Sequence, residues 1–373
     1  MKVMTVVGTR PELIRLSRII PRLDEFFDHV LVHTGQNYDY ELNQVFFDEL
    51  GIRKPDFYLE AAGDSVAQTL GQIIERIDSL FETVEPDAVL ILGDTNSGLS
   101  VIPAKRRHIP IFHMEAGNRC FDFRVPEEIN RKIIDHLSDV NLPYTEHARR
   151  NLLAEGLMTD QIIVTGSPMT EVLNFYRDKI DDSKVLQKMG LEAQKFFVAS
   201  FHREENVDDP MRLEKLVKSI NLLTTHYGFP VVLSVHPRTR KRLETCRTSL
   251  HPDVLTLKPL GFFDYVKLQK LSYCTLSDSG TITEESAILG FPAVTLRETH
   301  ERPEGMDSGI LVMTGLTDED VLSGVKISRA QFEAGVKPQS PGDYEAVDVS
   351  WKIAKTIQSY APYINRKVWK KER

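Results

Sequence analysis

The sequence has only three cysteines, Cys120, Cys246 and Cys274, in 373 residues, and none belongs to a C-x-x-C pair. Odd in number and widely spaced, they suggest neither a zinc ribbon nor a disulfide framework. They fit a reducing, cytoplasmic setting. His113, Glu115 and His136 are present, but no H-E-x-x-H or other tight ligand spacing occurs, so no metal site is expected. The Gly-x-Gly-x-x-Gly turn of a nicotinamide-binding unit is missing as well, and no cofactor is expected. No run approaches 18 uninterrupted apolar residues, so no membrane span is expected. The N-terminal run Val3–Val7 is too short for a signal peptide and has no cleavage site. Positive charge is in deficit: 46 Lys and Arg stand against 54 Asp and Glu, a net charge of -8. That argues against a nucleic-acid partner, because a phosphate backbone needs a basic surface. The basic run from Arg366 to Arg373, which contains Trp369, reads as the solvated end of a helix.

What is present is the composition of a globular enzyme, with 41% hydrophobic and 27% charged residues. At roughly 150 residues per domain, the length predicts two domains. Short runs apolar on both faces, as in a buried parallel sheet, fall at Val3–Val7, Val30–His33, Ala88–Leu92, Ile111–Met114, Val140–Leu142 and Ile162–Val164. A second series comprises Phe196–Ser200, Val231–Ser234, Val254–Leu257, Cys274–Ser277 and Ala293–Leu296. Helical spacing lies between them: Leu13, Leu16, Ile20 and Leu23 in one segment, Ile129, Ile133 and Leu137 in another. The alternation predicts βαβ units. The pattern restarts near Phe196, after a helical stretch around Thr170–Lys188, which predicts two Rossmann-like α/β halves.

Open parallel sheets bind ligands beyond the carboxyl ends of their strands, so the segments just after the strands carry the function. Gly8-Thr9-Arg10-Pro11-Glu12 follows the first strand. Thr9 and Glu12 have capping-box spacing, Pro11 suits a first turn, and Arg10 adds charge to a helix start able to take an anion. Asp94, Glu115 and Glu127 lie at two strand ends and a helix start, and differently tuned carboxylates supply acid and base. Each has an ordinary alternative: Asp94 as a helix cap, Glu127 as a first-turn residue paired with Arg131 at i+4. His202 follows the first strand of the second half and could meet an anion or move a proton. His236 follows the next strand. Ser279, Gly280 and Thr281 open a helix with hydroxyls and backbone N–H groups, a cradle for a diphosphate. There Thr281 and Glu284 have capping-box spacing, and Glu285, one turn in, could take a ribose diol. Arg302 lies in a loop after the last strand.

Together these segments resemble the non-hydrolysing UDP-N-acetylglucosamine 2-epimerases over nearly the whole chain. The matching pieces are GTRPE at 8–12, GDT at 93–95, EAG-x-R at 115–119, PEE-x-NR at 126–131, HR-x-EN at 202–206, DSG-x-x-x-EE at 278–285 and ERPE at 301–304. The resemblance implies a glycosyltransferase-B-like α/β fold of two Rossmann-like domains facing a cleft. One would span 1–168 plus a returning 350–373, the other 169–349. It implies a UDP-sugar as ligand and a homodimer. It also implies a reaction in which UDP leaves C1 as C2 loses its proton, the proton returns to the opposite face, and UDP adds back. Carried over, Asp94, Glu115 and Glu127 match catalytic carboxylates, and His202 the histidine at the diphosphate. Arg10, Ser279, Gly280 and Thr281 match diphosphate positions, Glu285 the ribose contact and Arg302 the arginine of the ERPE loop. Arg119 is the arginine of EAG-x-R, and Tyr265 falls near the segment holding uracil.

Three positions depart from the family pattern: Arg15 replaces a lysine, Thr281 a glycine, and Asn118 a leucine, followed by Cys120-Phe121-Asp122-Phe123. The last variant resembles a branch acting on UDP-2-acetamido-2,6-dideoxy-L-talose, which forms UDP-N-acetyl-L-fucosamine for capsule or O-antigen. Cys120, Phe121 and Phe123 would wall the sugar's methyl. The alternatives are the parent UDP-N-acetylglucosamine activity and a nucleotide-sugar glycosyltransferase on the same fold.

Overall fold

The computed structural model describes residues 1–35, 46–235 and 237–371; His236 lies outside the described residues. The chain divides into two compact units, Met1–Leu173 with Asp343–Arg373, and Asn174–Gly342.

The first unit holds a six-stranded sheet in the order β3-β2-β1-β4-β5-β6, every pair parallel. Its strands are β1 Lys2–Val7, β2 Asp28–His33, β3 Phe57–Tyr58, β4 Ala88–Leu92, β5 Ile111–Met114 and β6 Val140–Leu142. β1, β4 and β5 are almost wholly buried, which is why they read as continuous apolar runs. Met4, Val6, Val89, Ile91 and Ile111 form a core with Ile77 and Phe81 of the helix Val66–Val84. The second unit repeats the plan in the order β12-β11-β10-β7-β8-β9. Here β7 is Phe197–Ser200, β8 Val231–Ser234, β9 Val254–Leu257, β10 Cys274–Ser277, β11 Ala293–Thr295 and β12 Val312–Met313. Phe197, Ala199, Leu233, Leu276 and Val294 centre its core. Each order reverses direction once, between β1 and β4 and between β7 and β10. Such switch points are where doubly wound sheets receive ligands.

Several expectations are corrected. Ile162–Val164 is not a strand; it meets β6 through a single bridge, Asn141 with Ile162. β3 and β12, two residues each, carry too little pattern to read. Leu13 to Leu23 is two helices, Arg10–Leu16 and Ile19–Phe26. Thr170–Lys188 is three short ones. Ile129, taken as part of an apolar stripe, is exposed. The basic C-terminal run is not simply solvated, because Trp369 stacks on His108 with ring centroids 4.3 Å apart.

The return of the chain to the first unit is held by polar contacts. Ser167 N donates to Asp343 O at 2.9 Å, Thr170 Oγ1 donates to Tyr344 O, and Ser350 N donates to Glu171 Oε2 at 2.8 Å. The helix Val349–Lys367 follows, with Trp351 against Phe26 and under Arg22. Among the described residues no helix is long and apolar enough to cross a membrane.

Gly117, in the turn after β5, shows how tightly the strand ends are built. Its φ is +80°, and a Cβ there would lie 2.4 Å from Ala148 O, a backbone atom. Gly117→Ala should therefore destabilise by about 2–3 kcal/mol in urea denaturation, combining left-handed strain with a clash that cannot relax. Gly51→Ala has the same kind of φ, +64°, in open space, and should lose only about 1 kcal/mol. Equal losses at the two positions would contradict the packing argument.

Candidate active site

At the first switch point the β1 loop and the β4 loop are fastened together by Glu12. Gly8 N donates to its Oε2 at 2.9 Å, Thr9 Oγ1 donates to the same oxygen at 2.7 Å, and Thr95 Oγ1 donates to Oε1 at 3.1 Å. Glu12 is thus a buried clamp that also accepts from the Thr9 backbone N–H, the reciprocal half of a capping box, while Thr9 makes no side-chain cap bond. Burial pushes its carboxyl up from 4.5 to about 7, against the opposing effect of those hydrogen bonds. Beside it Arg10 lies over the ring of Phe46, 5.2 Å from its centroid.

Asp94 follows β4. Its Oδ2 accepts from Arg131 Nε at 2.8 Å and lies 2.7 Å from Nη2, while 30% of the side chain stays exposed. The same guanidinium donates through Nη1 to Glu128 Oε2 at 2.9 Å. Arg131 turns inward from the helix Pro126–Leu137 to join Asp94 to the buried Glu128, leaving Glu127 half-buried in the first turn. Glu128 also accepts from Cys120 N at 3.1 Å and Phe121 N at 3.3 Å, and so anchors the loop after EAGNR.

Glu115 follows β5 with φ +63°, a conformation costly for a residue with a Cβ and concentrated at functional sites. Its carboxylate pairs with Arg15 and accepts from Asn118 Nδ2 at 3.3 Å. A Cβ on Gly93 would stand 3.6 Å from Glu115 Oε2, so the Glu115 side chain lies against the loop bearing Asp94. Asp94 and Glu115 thus lie side by side at the carboxyl ends of β4 and β5, and Glu127 opens the helix whose Arg131 holds Asp94. Arg119 does not join them. Its guanidinium donates to both oxygens of Glu155, at 2.8 and 2.6 Å, and its Nη1 lies 2.7 Å from Asp135 Oδ2. It is buried in a structural role, a correction to its expected ligand contact.

The second switch point gathers His202, Ser279, Gly280 and Thr281. Asp278, fully buried at the end of β10, accepts from His202 N at 3.1 Å, Arg203 N at 3.0 Å and Asn206 Nδ2 at 3.1 Å. Its Oδ1 lies 3.3 Å from His202 Nδ1, and the imidazole is 49% exposed. Ser279 and Thr281 hydroxyls meet at 3.1 Å. The helix begins at Thr281 with Gly280 at its N-cap position and no side-chain cap bond. Its first turn accordingly keeps N–H groups for an anion. Gly280 is required by Glu301, whose Oε1 would be 2.5 Å from a Cβ. Glu301 is itself held by Arg203 at 2.8 Å and Arg297 at 2.6 Å.

One further expectation changes. Thr281 and Glu284 form no capping box, because Glu284 Oε1 takes Arg302 Nε at 3.1 Å and Nη2 at 3.0 Å. Arg302 is buried in that pair and builds the loop. Glu285 is buried with Oε2 accepting from Gln269 Nε2 at 2.7 Å. Tyr265 packs half-buried against the cluster of Phe196, Val198 and Leu268.

These features define a class, an α/β enzyme with a carboxylate cluster at one switch point and an anion cradle at the other. The profile of the family described as UDP-N-acetylglucosamine 2-epimerase matches residues 22–358. The UDP-2,3-diacetamido-2,3-dideoxy-D-glucuronate 2-epimerase of Pseudomonas aeruginosa is 35% identical over 88% of the chain and 92% of its own length. Among solved structures, a UDP-N-acetylglucosamine 2-epimerase from Rickettsia bellii is 52% identical with TM-score 0.92, and both chains are fully covered. The Methanocaldococcus jannaschii UDP-GlcNAc 2-epimerase in complex with UDP-GlcNAc and UDP is 30% identical, with TM-score 0.89 over 96% of this chain and 99% of that one. The chain belongs to the UDP-N-acetylglucosamine 2-epimerase family, and it is a non-hydrolysing UDP-sugar 2-epimerase of glycosyltransferase-B-like fold.

The Glu12 clamp has a pH signature. Its folded pKa is raised from 4.5 to about 7, so the folded state binds the proton more tightly. The associated stability is complete below the unfolded value and is lost as pH rises through the folded one. Between pH 4.5 and 7 the wild type should lose up to about 3 kcal/mol relative to Glu12→Gln, at about 1.36 kcal/mol per unit. The glutamine can accept from Gly8 and Thr9 and donate to Thr95 without titrating. Parallel stability–pH curves for the two proteins would remove the clamp's titration from the account.

Proposed function

We propose that this epimerase inverts C2 of UDP-2-acetamido-2,6-dideoxy-L-talose to give UDP-N-acetyl-L-fucosamine. The observation that carries the reading is the loop 118–125, which runs from Glu115 to Glu127. Glu128 pins its base at Cys120 and Phe121, and Phe121 is held at φ +56°. Above that base the rings of Phe121 and Phe123 stand 75% and 66% exposed. Large apolar side chains held in water beside a polar site are usually there to be covered. A sugar with a methyl at C6, where glucose has a hydroxymethyl, offers a matching surface. Cys120 takes no part in this wall, since its thiol is buried against Glu128. The names of the relatives support a family whose members differ in sugar while sharing the reaction: one is a 2-epimerase of a diacetamido glucuronate, others of UDP-N-acetylglucosamine. The parent activity on UDP-N-acetylglucosamine is the second reading, favoured by those latter names.

In the proposed mechanism the diphosphate rests on the backbone of Ser279, Gly280 and Thr281, with His202 contributing charge. Glu285 takes the ribose, and Tyr265 borders the base. The C1–O bond breaks as C2 loses its proton, leaving UDP and a 2-acetamidoglycal. A proton then adds to the opposite face of C2, and the UDP oxygen re-forms the bond to C1. Atoms balance without a redox partner. Asp94, Glu115 and Glu127 move the proton and stabilise the charge developing at C1, as preorganised groups in a fixed site do.

Asp94→Asn, Glu115→Gln and Glu127→Gln should each lower turnover by roughly two to four orders of magnitude with little change in UDP affinity by calorimetry. Near-normal turnover in Glu127→Gln would remove it from the carboxylate set. For the sugar, initial rates are compared for the two UDP-sugars, separately, in deuterated water, with products identified by NMR. The 6-deoxy-L-talose compound should gain deuterium at C2 faster, by roughly a hundredfold or more if an apolar wall and ring configuration both discriminate. Faster labelling of UDP-N-acetylglucosamine would overturn the 6-deoxy reading and leave the parent activity.

A further inference from the structure

A buried polar chain runs behind the carboxylate cluster, and none of its members faces the ligand in the mechanism above. It begins at Gly93, the residue before Asp94. His113, in β5 and 1% exposed, makes a 2.8 Å hydrogen bond from Nε2 to Gly93 O. A carbonyl can only accept, so Nε2 carries the proton. The other ring nitrogen, Nδ1, makes no hydrogen bond and packs 2.9 Å from Oδ1 of the fully buried Asp135. Asp135 sits on the helix Pro126–Leu137, the element that also carries Glu127, Glu128 and Arg131. Its two oxygens face the N–H of Gly117 at 3.3 and 3.2 Å, and Oδ2 lies 2.7 Å from Arg119 Nη1. Gly117 is two residues beyond Glu115.

We infer that His113 is a positioning residue: through Nε2 it fixes the Gly93 carbonyl and so sets Asp94 in register with Glu115. Three physical points carry this. Gly93 has φ +75°, so its peptide orientation is not limited by a side chain and needs an outside fastening. The fastening comes from β5, the strand that delivers Glu115, so one ring ties two carboxylate-bearing loops. Asp135, packed 2.9 Å from that ring, holds Gly117 N and belongs to the helix of Glu127, so the segments bearing the three carboxylates meet around His113 and Asp135. Catalytic groups must be held to about 0.5 Å, and a displacement of about 1 Å can lower a rate a hundredfold.

The inference rests on Asp94 acting in catalysis, and the experiment separates the two. A glutamine at 113 can place its amide nitrogen near the Nε2 position and keep the donor to Gly93 O. An asparagine is too short and reaches only the Nδ1 position beside Asp135. The full chain is compared as wild type, His113→Gln and His113→Asn, alone and combined with Asp94→Asn. UDP affinity and Tm are read alongside kcat and KM. His113→Gln should keep kcat within about fivefold, while His113→Asn lowers it by about 30- to 100-fold, with KM and UDP affinity within about threefold. In the Asp94→Asn background the two position-113 variants should turn over alike, because the effect passes through Asp94. Equal kcat for His113→Gln and His113→Asn in the native background would overturn the inference, and so would a His113→Asn loss that multiplies undiminished onto Asp94→Asn. Full activity of Asp94→Asn alone would instead refute the reading of Asp94 on which it rests. If His113→Asn fails to fold, His113→Leu, which also lacks a donor to Gly93, takes its place.

Discussion

Arg131 is the contact on which the catalytic half depends. One guanidinium, buried and projecting from the helix Pro126–Leu137, meets Asp94 on one side and Glu128 on the other. A planar fork with several donors can bind two carboxylates at fixed angles, which a lysine cannot. Through Asp94 it reaches the loop after β4. Through Glu128 it reaches Cys120 and Phe121 in the loop after β5. Removing it would leave buried Glu128 without its counter-charge, an arrangement that destabilises by about 3–5 kcal/mol in comparable sites. The strained Glu115 backbone and the displayed phenyl rings of Phe121 and Phe123 are tolerable because this frame over-determines their surroundings.

The second unit solves a parallel problem with Asp278. A buried carboxylate at the end of β10 collects the backbone of His202 and Arg203 and the side chain of Asn206. It thereby fixes an exposed imidazole next to the N-terminus of the helix Thr281–Leu289. Glu301, between Arg203 and Arg297, closes the rear of that cradle against Gly280. In both units a buried acid that touches no reacting atom orients the groups proposed to do so.

The sheets were legible because their central strands are buried on both faces and write continuous apolar runs. β3 and β12 were not, being two residues long, and Ile162–Val164 misled because an apolar triplet can flank a sheet edge without joining it. The segments after the strands pointed to Asp94, Glu115, His202 and Ser279–Thr281, since strand ends at a switch point are a topological rule. The partners of those residues stayed hidden. Glu12 and Glu284 have capping spacing in sequence, yet Glu12 adds the distant Thr95 to its local partners and Glu284 is taken by Arg302. Arg119 has a ligand arginine's position but two carboxylates, the buried Asp135 and the partly exposed Glu155, claim it. His113, Glu128, Arg131 and Asp135 carry signals of local helix or strand only, because what matters about them is long-range contact.

The carboxylate frame is proposed to serve an elimination in which C1–O cleavage is linked to C2 deprotonation. Its most direct test uses a UDP-sugar substrate carrying oxygen-18 in the bridge between C1 and the β-phosphorus, turned over in deuterated water. Label should move from the bridge to non-bridging β-phosphate oxygens in substrate recovered from the reaction, while deuterium enters C2. Epimerised product with deuterium at C2 and all oxygen-18 still in the bridge after many turnovers would contradict it, since C2 would then have inverted without UDP leaving C1.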